Sequence, residues 1–330
     1  MYNKKPPFEI TDVILSDVVE IGELVGHICS ISALSTSPNL RRENRIKTIY
    51  SSLAIEQNTL SLEQVTAVLS GKRVLAPAKD IAEVKNAYEI YDHLAAMNPY
   101  SIDDLLAAHG VMMRGLTEEA GVFRSRPVGV VDSQGNILHF GTLPEYVPAL
   151  VQELLEWVHA SSLPVLIKSC VFHYEFELIH PFSDGNGRMG RLWHTLLLSQ
   201  WNPLFAWLPV ESIIHDHQQE YYQAINLSNA QGESTPFIEF MLRIIKTALS
   251  DAIITSSKSP KSRATQKELR WAAIEHYLLA VPTIRNSDVQ QLCGVSSATA
   301  NRILNSLCKE GKLERVRVGS YLSYRKPEHT

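Results

Sequence analysis

One short segment of the chain concentrates side chains that could do chemistry. It runs from His180 to Arg191 and reads HPFSDGNGRMGR. Gly185 and Gly187 allow a tight turn in which backbone N–H groups come close to a ligand. The helix predicted to follow points its free amides and positive dipole end into this loop, which favours a bound anion. Arg188 and Arg191 share one face of that helix, where two guanidinium groups suit successive phosphates. The segment therefore predicts a polyphosphate site.

Two other side chains of this segment have chemistry suited to a phosphate site. Asp184 is a hard oxygen ligand that can hold Mg²⁺ beside phosphates, and His180 can act as a base near neutral pH. Residues 185–190 also match G-x-G-x-x-G, the dinucleotide-binding fingerprint, which requires a preceding strand. Here a helix-like run ending near Ile179 and a proline loop come first, so the sequence argues against a Rossmann domain.

The whole segment resembles the motif HPFx[D/E]GNGRxxR of the Fic family of adenylyl (AMP) transferases, with every specified position present. The resemblance implies a helical core, ATP as the substrate with Mg²⁺, and transfer of AMP to a hydroxyl side chain of a target protein or of the chain itself. Carried over position by position, it implies a general base (His180), a loop anchor in the core (Phe182), a Mg²⁺ ligand (Asp184), an α-phosphate cradle (Gly185, Asn186 and Gly187), and partners for the β-phosphate (Arg188) and the γ-phosphate (Arg191).

A second stretch, residues 50–58, resembles the family's inhibitory helix, [S/T]xxxE[G/N], placed N-terminal to the catalytic core. Ser52 and Glu56 fit this pattern, whereas Gln57 departs from it by standing where Gly is usual. The resemblance implies that Glu56 pairs with Arg191 and puts a negative charge where the γ-phosphate belongs. An ordinary solvent-facing helix glutamate is the alternative.

Residues 126–140 predict a β-hairpin, because an apolar, β-branched stretch, a polar turn and a second apolar stretch follow one another. They stand where the Fic family carries the flap that positions its target, and they follow residues 121–124, which resemble the family's GxYR. An exposed hairpin edge can pair with a strand of a partner. A purely structural hairpin is the alternative. The flap residues would be Val128, Val130, Ile137 and His139.

A further resemblance concerns the nucleotide base. Residues 220–225 are similar to the family's YYxAL stretch, whose tyrosine can line the adenine pocket, with Ile225 at the leucine position. Tyr221 and Tyr222 are therefore candidates for ATP binding. Packing in the core is an equal alternative for either ring.

Helical periodicity dominates the first 250 residues, which predicts a mainly α fold with the small hairpin as a flap. Ser61 and Ser101 are candidate N-caps of predicted helices. Helices are predicted at 81–97, 101–114, 143–161, 164–179 and 192–199.

The charge distribution divides the chain. From Lys258 onward 13 Lys and Arg face 6 Asp and Glu, which leaves 18 against 29 in residues 1–257. An acidic body and a basic C-terminal piece indicate two modules with different partners. We expect a helical lead-in at 1–39, a Fic catalytic domain with its inhibitory helix at 40–250, a linker at 251–264 and a winged helix-turn-helix domain at 265–330.

The C-terminal domain is inferred from its helix signals and its basic end. Ser296 is a candidate N-cap, Gly311 a candidate helix stop, and residues 312–325 predict a basic hairpin. Residues 294–302 resemble the GVSxxTxxR run of many bacterial regulators. Protein–protein contact through this domain is the alternative to DNA binding. The residues free to face a DNA major groove would be Ser297, Thr299, Asn301 and Arg302.

Composition excludes several classes of protein. Apolar residues make up 45% of the 330 residues and charged residues 20%, as in ordinary globular proteins. No apolar stretch approaches the roughly 20 residues of a membrane span. The start of the chain lacks the apolar core of a secretory signal. The 4 cysteines are far apart, which favours free thiols in a cytoplasmic protein.

Together these features favour a cytoplasmic, self-restrained protein adenylyltransferase. We expect it to be a homodimer without membrane association, acting on a target protein that the sequence does not identify. Two alternatives stay open. One is a DNA-binding transcriptional regulator with a nucleotide-sensing Fic body. The other is an enzyme that removes AMP, for which Glu56 would position a water.

Overall fold

The computed structural model describes residues 5–31, 38–131, 137–258, 267–268, 270–275, 277–278, 281–318 and 321–327. The chain divides into two compact units, residues 1–254 and 255–330. Helices dominate, and the described strands form two small antiparallel sheets. The predicted mainly α fold class is confirmed. No helix in the described ranges combines the length and apolarity that a bilayer crossing requires.

The first unit is built mainly from helices. Among the described residues of this unit, three short 3₁₀ turns also occur: Leu94–Ala96, Pro144–Tyr146 and Pro203–Ala206. The α-helices described there are α1 (Asp12–Ile31), α2 (Pro38–Ile55), α3 (Leu62–Leu69), α4 (Ala78–Asp92), α5 (Ile102–Met112), α6 (Val147–Ala160), α7 (Val165–Ile179), α8 (Asn186–Trp201), α9 (Val210–Asp216), α10 (Gln218–Gln231) and α11 (Thr235–Lys258).

Local capping chemistry explains where two of these helices begin. The Ser61 hydroxyl accepts from the backbone N–H of Gln64, and the Gln64 side chain accepts in return from the Ser61 N–H, which makes a reciprocal capping box at α3. The Ser101 hydroxyl accepts from the Asp104 N–H at the start of α5. Both predicted N-caps are confirmed.

Helices α7 and α8 form the centre of the first unit. Every residue at 166–176 of α7 and at 188–198 of α8 is buried, as expected for helices surrounded by other elements. One side of this pair packs with α2 to α6, and α7 also packs with α1 and α9 to α11. The loop between α7 and α8 is the segment with the phosphate-binding motif, so two buried helices hold it in place.

The predicted hairpin forms ahead of α6. Strands β1 (Gly129–Val131) and β2 (Ile137–Phe140) are antiparallel, with Val130 opposite His139 and an irregular register at Val131. The predicted turn at 132–136 lies outside the described residues. The hairpin prediction is confirmed for its two strands.

The expected domain boundaries can be compared with the observed helices. Helix α1 occupies most of the expected lead-in at 1–39. Helix α11 continues to Lys258, into the segment expected to be a linker at 251–264. The rest of that linker, residues 259–264, lies outside the described residues.

The second unit has its own small core. Residues 270–275 are helical (α12), followed by α13 (Asn286–Cys293), α14 (Ser297–Lys309), β3 (Glu314–Val318) and β4 (Tyr321–Arg325). The Ser296 hydroxyl caps α14, and Gly311, after its end, has a φ of 71°. On α14, Ala300, Leu304 and Leu307 are buried and Ile303 is partly buried.

Candidate active site

The loop between α7 and α8 turns through two left-handed residues. His180 ends α7 with a φ of 53°, and Gly185 precedes α8 with a φ of 86°. A Cβ at Gly185 would lie 2.7 Å from the Met113 sulfur, so the close packing as well as the conformation requires glycine. The N–H groups of the first turn of α8 have no acceptor within the helix and face the loop. This geometry makes an anion site.

His180 is held by its backbone and by its ring. Its carbonyl oxygen accepts from Arg124 Nε at 2.6 Å, and its Nδ1 lies 3.3 Å from the Glu177 carbonyl oxygen. A carbonyl can only accept, so Nδ1 carries the proton in that contact. Nε2 is then the basic nitrogen of the neutral ring. The arrangement gives His180 the tautomer that a base needs.

Arg124 connects the hairpin to this loop. Its guanidinium donates to the backbone oxygens of Arg126 and Thr142, at the two ends of the hairpin, as well as to His180. Its backbone N–H donates to the Pro181 carbonyl at 3.0 Å. Burial lowers the pKa of Arg124. The GxYR resemblance pointed to this stretch, but the tie between the hairpin and the loop depends on contacts that no local pattern shows.

Asn186 and Phe182 lock the shape of the loop. The Phe182 N–H donates to Asn186 Oδ1 and Asn186 Nδ2 donates to the Phe182 carbonyl, both at 2.9 Å. The Phe182 ring is fully buried, as expected for a loop anchor. In this structure both ends of the Asn186 amide are therefore engaged by the loop backbone. The groups left to cradle an α-phosphate are the N–H groups of the first turn of α8.

His109 contacts the loop through its ring, and the sequence analysis did not identify this residue. Its ring stacks on Phe182 at 3.6 Å between centroids. Nδ1 accepts from the Gly121 N–H, so Nε2 carries the proton and donates to the Asp184 carbonyl at 3.0 Å. Burial lowers the pKa of His109, in keeping with the neutral tautomer. The residues next to His109 in the sequence form no pattern that would indicate this role.

The expected pairing of Glu56 with Arg191 is present. Arg191 Nη2 donates to Glu56 Oε1 at 2.7 Å and to the Ser52 carbonyl at 3.0 Å, and Nε donates to the Ser52 hydroxyl at 3.2 Å. Arg191 is 2% exposed, whereas the Glu56 side chain is 31% exposed. Burial alone would lower the pKa of Arg191, but the Glu56 carboxylate raises it above its usual value. A Cβ at Gly187 would overlap the Glu56 carboxylate, so this group lies against the first turn of α8.

Gln57 shows why a glycine is usual at its position. Helix α2 ends at Ile55, and Gln57 has a φ of 66°, in the left-handed region. The Asn58 N–H then donates to the Leu53 carbonyl at 3.1 Å, which closes the helix end. The departure from the family pattern therefore leaves the helix end intact and places a strained residue next to Glu56.

Arg188 lies between two carboxylates. Its Nη1 donates to Glu83 Oε1 at 3.1 Å and its Nη2 to Asp184 Oδ1 at 3.0 Å. Glu83 lies on α4, and sequence reasoning missed it because its partner is more than 100 residues away. Arg188 and Arg191 thus each carry a carboxylate partner in the structure.

Asp184 fits a Mg²⁺ ligand. Its side chain is 48% exposed, and its Oδ1 also accepts from the Gly185 N–H at 2.6 Å. No cluster of three or more His, Cys, Asp or Glu that could hold a metal ion occurs in the described part of the chain. One carboxylate together with substrate phosphates is the usual Mg²⁺ environment in such sites. The donor set is therefore that of an ion held jointly with the nucleotide.

The two candidate adenine-pocket tyrosines differ. Tyr221 is buried, and its hydroxyl lies 3.1 Å from His173 Nε2 inside the core. Tyr222 is 43% exposed. The geometry favours core packing for Tyr221 and leaves Tyr222 as the ring available to a ligand.

Glu177, on α7, has a shifted pKa. Burial of its carboxyl raises this pKa to about 7.

The remaining predicted residues lie on the hairpin and in the second unit. Val128 is half-buried, and its carbonyl accepts from the Gly141 N–H at 3.0 Å. Val130, Ile137 and His139 occupy the paired strands, and their side chains lie outside the described part of the structure. In the second unit the candidate DNA-facing residues lie on α14 and are exposed except for the half-buried Thr299; they are Ser297, Thr299, Asn301 and Arg302.

Known proteins are similar to this chain in sequence and in fold. The model of the Fic/DOC family matches residues 99–198, which include the loop at His180. The crystal structure of a Fic family protein from Desulfovibrio desulfuricans G20 is similar over 99% of this chain and 99% of that chain. The two share 40% sequence identity, with a TM-score of 0.75.

Curated relatives carry the same family name. Protein adenylyltransferase fic-1 of Caenorhabditis elegans is 30% identical over 244 residues, which are 69% of this chain and 44% of that protein. Protein adenylyltransferase Fic of Nematostella vectensis is 28% identical over 240 residues, 69% of this chain and 53% of that protein. The chain thus spans about half the length of these relatives. With its intact motif folded at the start of a buried helix and an end-to-end match to a solved member, the chain belongs to the Fic family.

Proposed function

We propose that the protein is an adenylyltransferase that transfers AMP from ATP to a hydroxyl side chain of a target protein. The observation that carries this proposal is the loop between α7 and α8. It combines a histidine in the tautomer of a base, a helix start whose free N–H groups suit an anion, and two arginines on the same helix. The names of the curated relatives support the same activity.

The reaction uses these groups in one displacement. His180 Nε2 takes the proton of the acceptor hydroxyl, and the hydroxyl oxygen bonds to the α-phosphorus. The bond between the α-phosphorus and its bridging oxygen to the β-phosphate breaks, and diphosphate leaves. The amides at the start of α8 stabilise the negative charge on the α-phosphate oxygens as it builds. Asn186 contributes by holding the loop that presents these amides.

The arginines hold the rest of the nucleotide. Arg188 is assigned to the β-phosphate and Arg191 to the γ-phosphate. Asp184 is the residue that would hold Mg²⁺, which supplies positive charge beside the phosphates when bound. Tyr222 is assigned to the adenine side of the pocket. The hairpin at 129–140 is assigned to the target, whose backbone would pair with its edge.

Glu56 restrains this activity. Its carboxylate occupies the partner that the γ-phosphate needs and lies against Gly187, in the first turn of α8. ATP therefore has to displace a charge-assisted hydrogen bond to a buried arginine. Ser52 fixes the same guanidinium from α2 and completes the inhibitory contact.

Labelling tests the proposed activity. ATP carrying its label in the α-phosphate is incubated with a cell lysate and either the native chain or Glu56→Gly. We expect labelled target protein with Glu56→Gly and less labelled protein with the native chain. The double variant that carries both Glu56→Gly and His180→Ala should label no target. ATP labelled in the γ-phosphate is the control: kinases of the lysate also use it, but no γ-labelled band should depend on the added chain. If Glu56→Gly binds ATP yet transfers no α-label, the transferase proposal fails. Loss of label from modified bands on adding the native chain would favour AMP removal instead.

A second candidate function concerns the C-terminal unit. Its helix pair followed by a hairpin supports a winged helix that binds DNA. On α14 the side chains of Ser297, Asn301 and Arg302 are exposed, and the exposed Arg315 and Arg317 lie on the following strand. A nucleotide-sensing regulator would use both units of the chain.

Duplex titration of the full chain at rising salt tests this second function. Binding should weaken steeply with salt. Arg302→Ala should cost about 1–3 kcal/mol if Arg302 reads a base. Lys309→Ala, at the other end of α14, is the control and should cost less. Absence of duplex binding, with a dimer that becomes a monomer by sedimentation once residues 262–330 are removed, would instead assign the unit to dimerisation. A homodimer in the cytoplasm is our expectation for the native chain.

A further inference from the structure

A buried carboxylate outside the family motif contacts the arginine assigned to the β-phosphate. Glu83 lies on α4 and is 5% exposed. Its Oε1 accepts from Arg188 Nη1 at 3.1 Å, and its Oε2 accepts from Asn58 Nδ2 at 2.7 Å. Both oxygens are therefore used, as a buried charge requires. The position of Glu83 is determined by these two partners together.

Of the two carboxylates that pair with Arg188, Glu83 is the buried one. The other partner, Asp184, is half-exposed and is the residue suited to a Mg²⁺ ion. An arginine that lost both carboxylates would be a buried charge without compensation, which is costly. The guanidinium is planar, so fixing Nη1 on Glu83 also restricts where Nη2 and Nε point. Arg188 Nε is buried and has no acceptor among the described residues, which leaves a donor for a ligand.

Asn58 links Glu83 to the inhibitory turn. Asn58 lies two residues after Glu56, and its N–H donates to the Leu53 carbonyl at the end of α2. Its side chain also donates to the Asp80 carbonyl at 3.2 Å, so it is tied to α4 as well as to α2. The turn at 56–58 thus reaches Arg191 directly through Glu56, and Arg188 through Asn58 and Glu83.

Resting on the proposed function, we propose that Glu83 is a positioning residue for the β-phosphate of the nucleotide. Glu83 holds the Arg188 guanidinium in the orientation that receives the β-phosphate, and Asn58 holds Glu83. The role differs from that of Glu56. Glu56 competes with a phosphate and must leave, whereas Glu83 stays in place and supports the arginine while the phosphate is bound.

A nucleotide series separates this role from general damage to the fold. Dissociation constants for AMP, ADP and ATP are measured by calorimetry in the full chain carrying Glu56→Gly, with and without Glu83→Gln. The glutamine keeps the size of the side chain, but its amide nitrogen must face one of two donors, Arg188 or Asn58. We expect ADP and ATP to bind about ten-fold or more weakly, and AMP to change by less than about two-fold.

The matched control is Glu89→Gln. Glu89 also lies on α4 and pairs with an arginine, Arg114, but on the protein surface. It should leave all three nucleotides within about two-fold of the parent. If Glu83→Gln fails to fold by its melting curve, Asn58→Ala keeps the Glu83–Arg188 pair and should give a smaller loss for ADP and ATP only.

The outcomes are distinct. Equal weakening of AMP, ADP and ATP, or an unchanged ADP affinity, would overturn the role of Glu83 and leave the transferase proposal standing. If the Glu56→Gly parent binds none of the three nucleotides, the proposed function fails and the role of Glu83 fails with it.

Discussion

Replacing Gln57 by glycine should stabilise the protein, because Gln57 adopts a backbone conformation that suits glycine. Its φ of 66° lies in the left-handed region, where a side chain costs roughly 1–2 kcal/mol. Glycine gives back about 0.5–1 kcal/mol through its greater freedom in the unfolded chain. Gln57 is exposed, so few side-chain contacts are lost. We expect Gln57→Gly to raise the free energy of unfolding by about 0.5–1 kcal/mol and the melting temperature by about 1–3 °C.

Chemical denaturation measures this difference, with Gln57→Ala as the control. Alanine removes the same side chain but keeps the left-handed penalty, so it should bring no gain. A firmer turn also holds Glu56 against Arg191 more often, and self-labelling by Gln57→Gly should fall below that of the native chain. Equal stabilisation by alanine and glycine would refute the argument from φ, since the gain would then come from losing the side chain.

The remaining predictions concern the site itself. His180→Ala should abolish transfer while ATP affinity by calorimetry stays within about two-fold, because the base acts on the acceptor; near-native transfer would exclude His180 as the base. Glu56→Gly should raise ATP affinity, and adding Arg191→Ala should cancel the gain; additive effects would mean that the two side chains do not interact. The raised pKa of Glu177, about 7, means that the folded state binds its proton more tightly than the unfolded state, so stability falls as the pH rises from about 4.5 to 7. Glu177→Gln should flatten that part of a denaturation series, and an unchanged slope would contradict it.

Local signals predicted much of the helical scaffold. Ser61 and Ser101 cap helices where expected, since capping depends on residues three apart. Element ends were less accurate. Helix α4 starts at Ala78, directly after Pro77, and not at residue 81. The helix expected from residue 143 is a 3₁₀ turn followed by α6 from Val147.

The motif located the loop, but its support came from distant parts of the chain. His109, Arg124 and Glu83 contact the loop or its helix across 56 to 105 residues. Such contacts exist only once helices α4, α5 and α7 are packed together, so no spacing in the sequence can report them. The engaged state of the Asn186 amide is likewise visible only in the folded loop.

Under the proposed function, the contact between Glu56 and Arg191 makes the inhibitor a part of the same molecule, which affects how the restraint depends on concentration. A tethered competitor cannot be diluted, so the degree of restraint does not depend on protein concentration. The apparent affinity for ATP is the intrinsic affinity multiplied by the fraction of molecules in which Arg191 is released. A released fraction of about one in ten raises the apparent Kd about ten-fold. Under the proposed function, any partner or substitution that loosens the end of α2 would therefore lower the ATP concentration at which the protein is active.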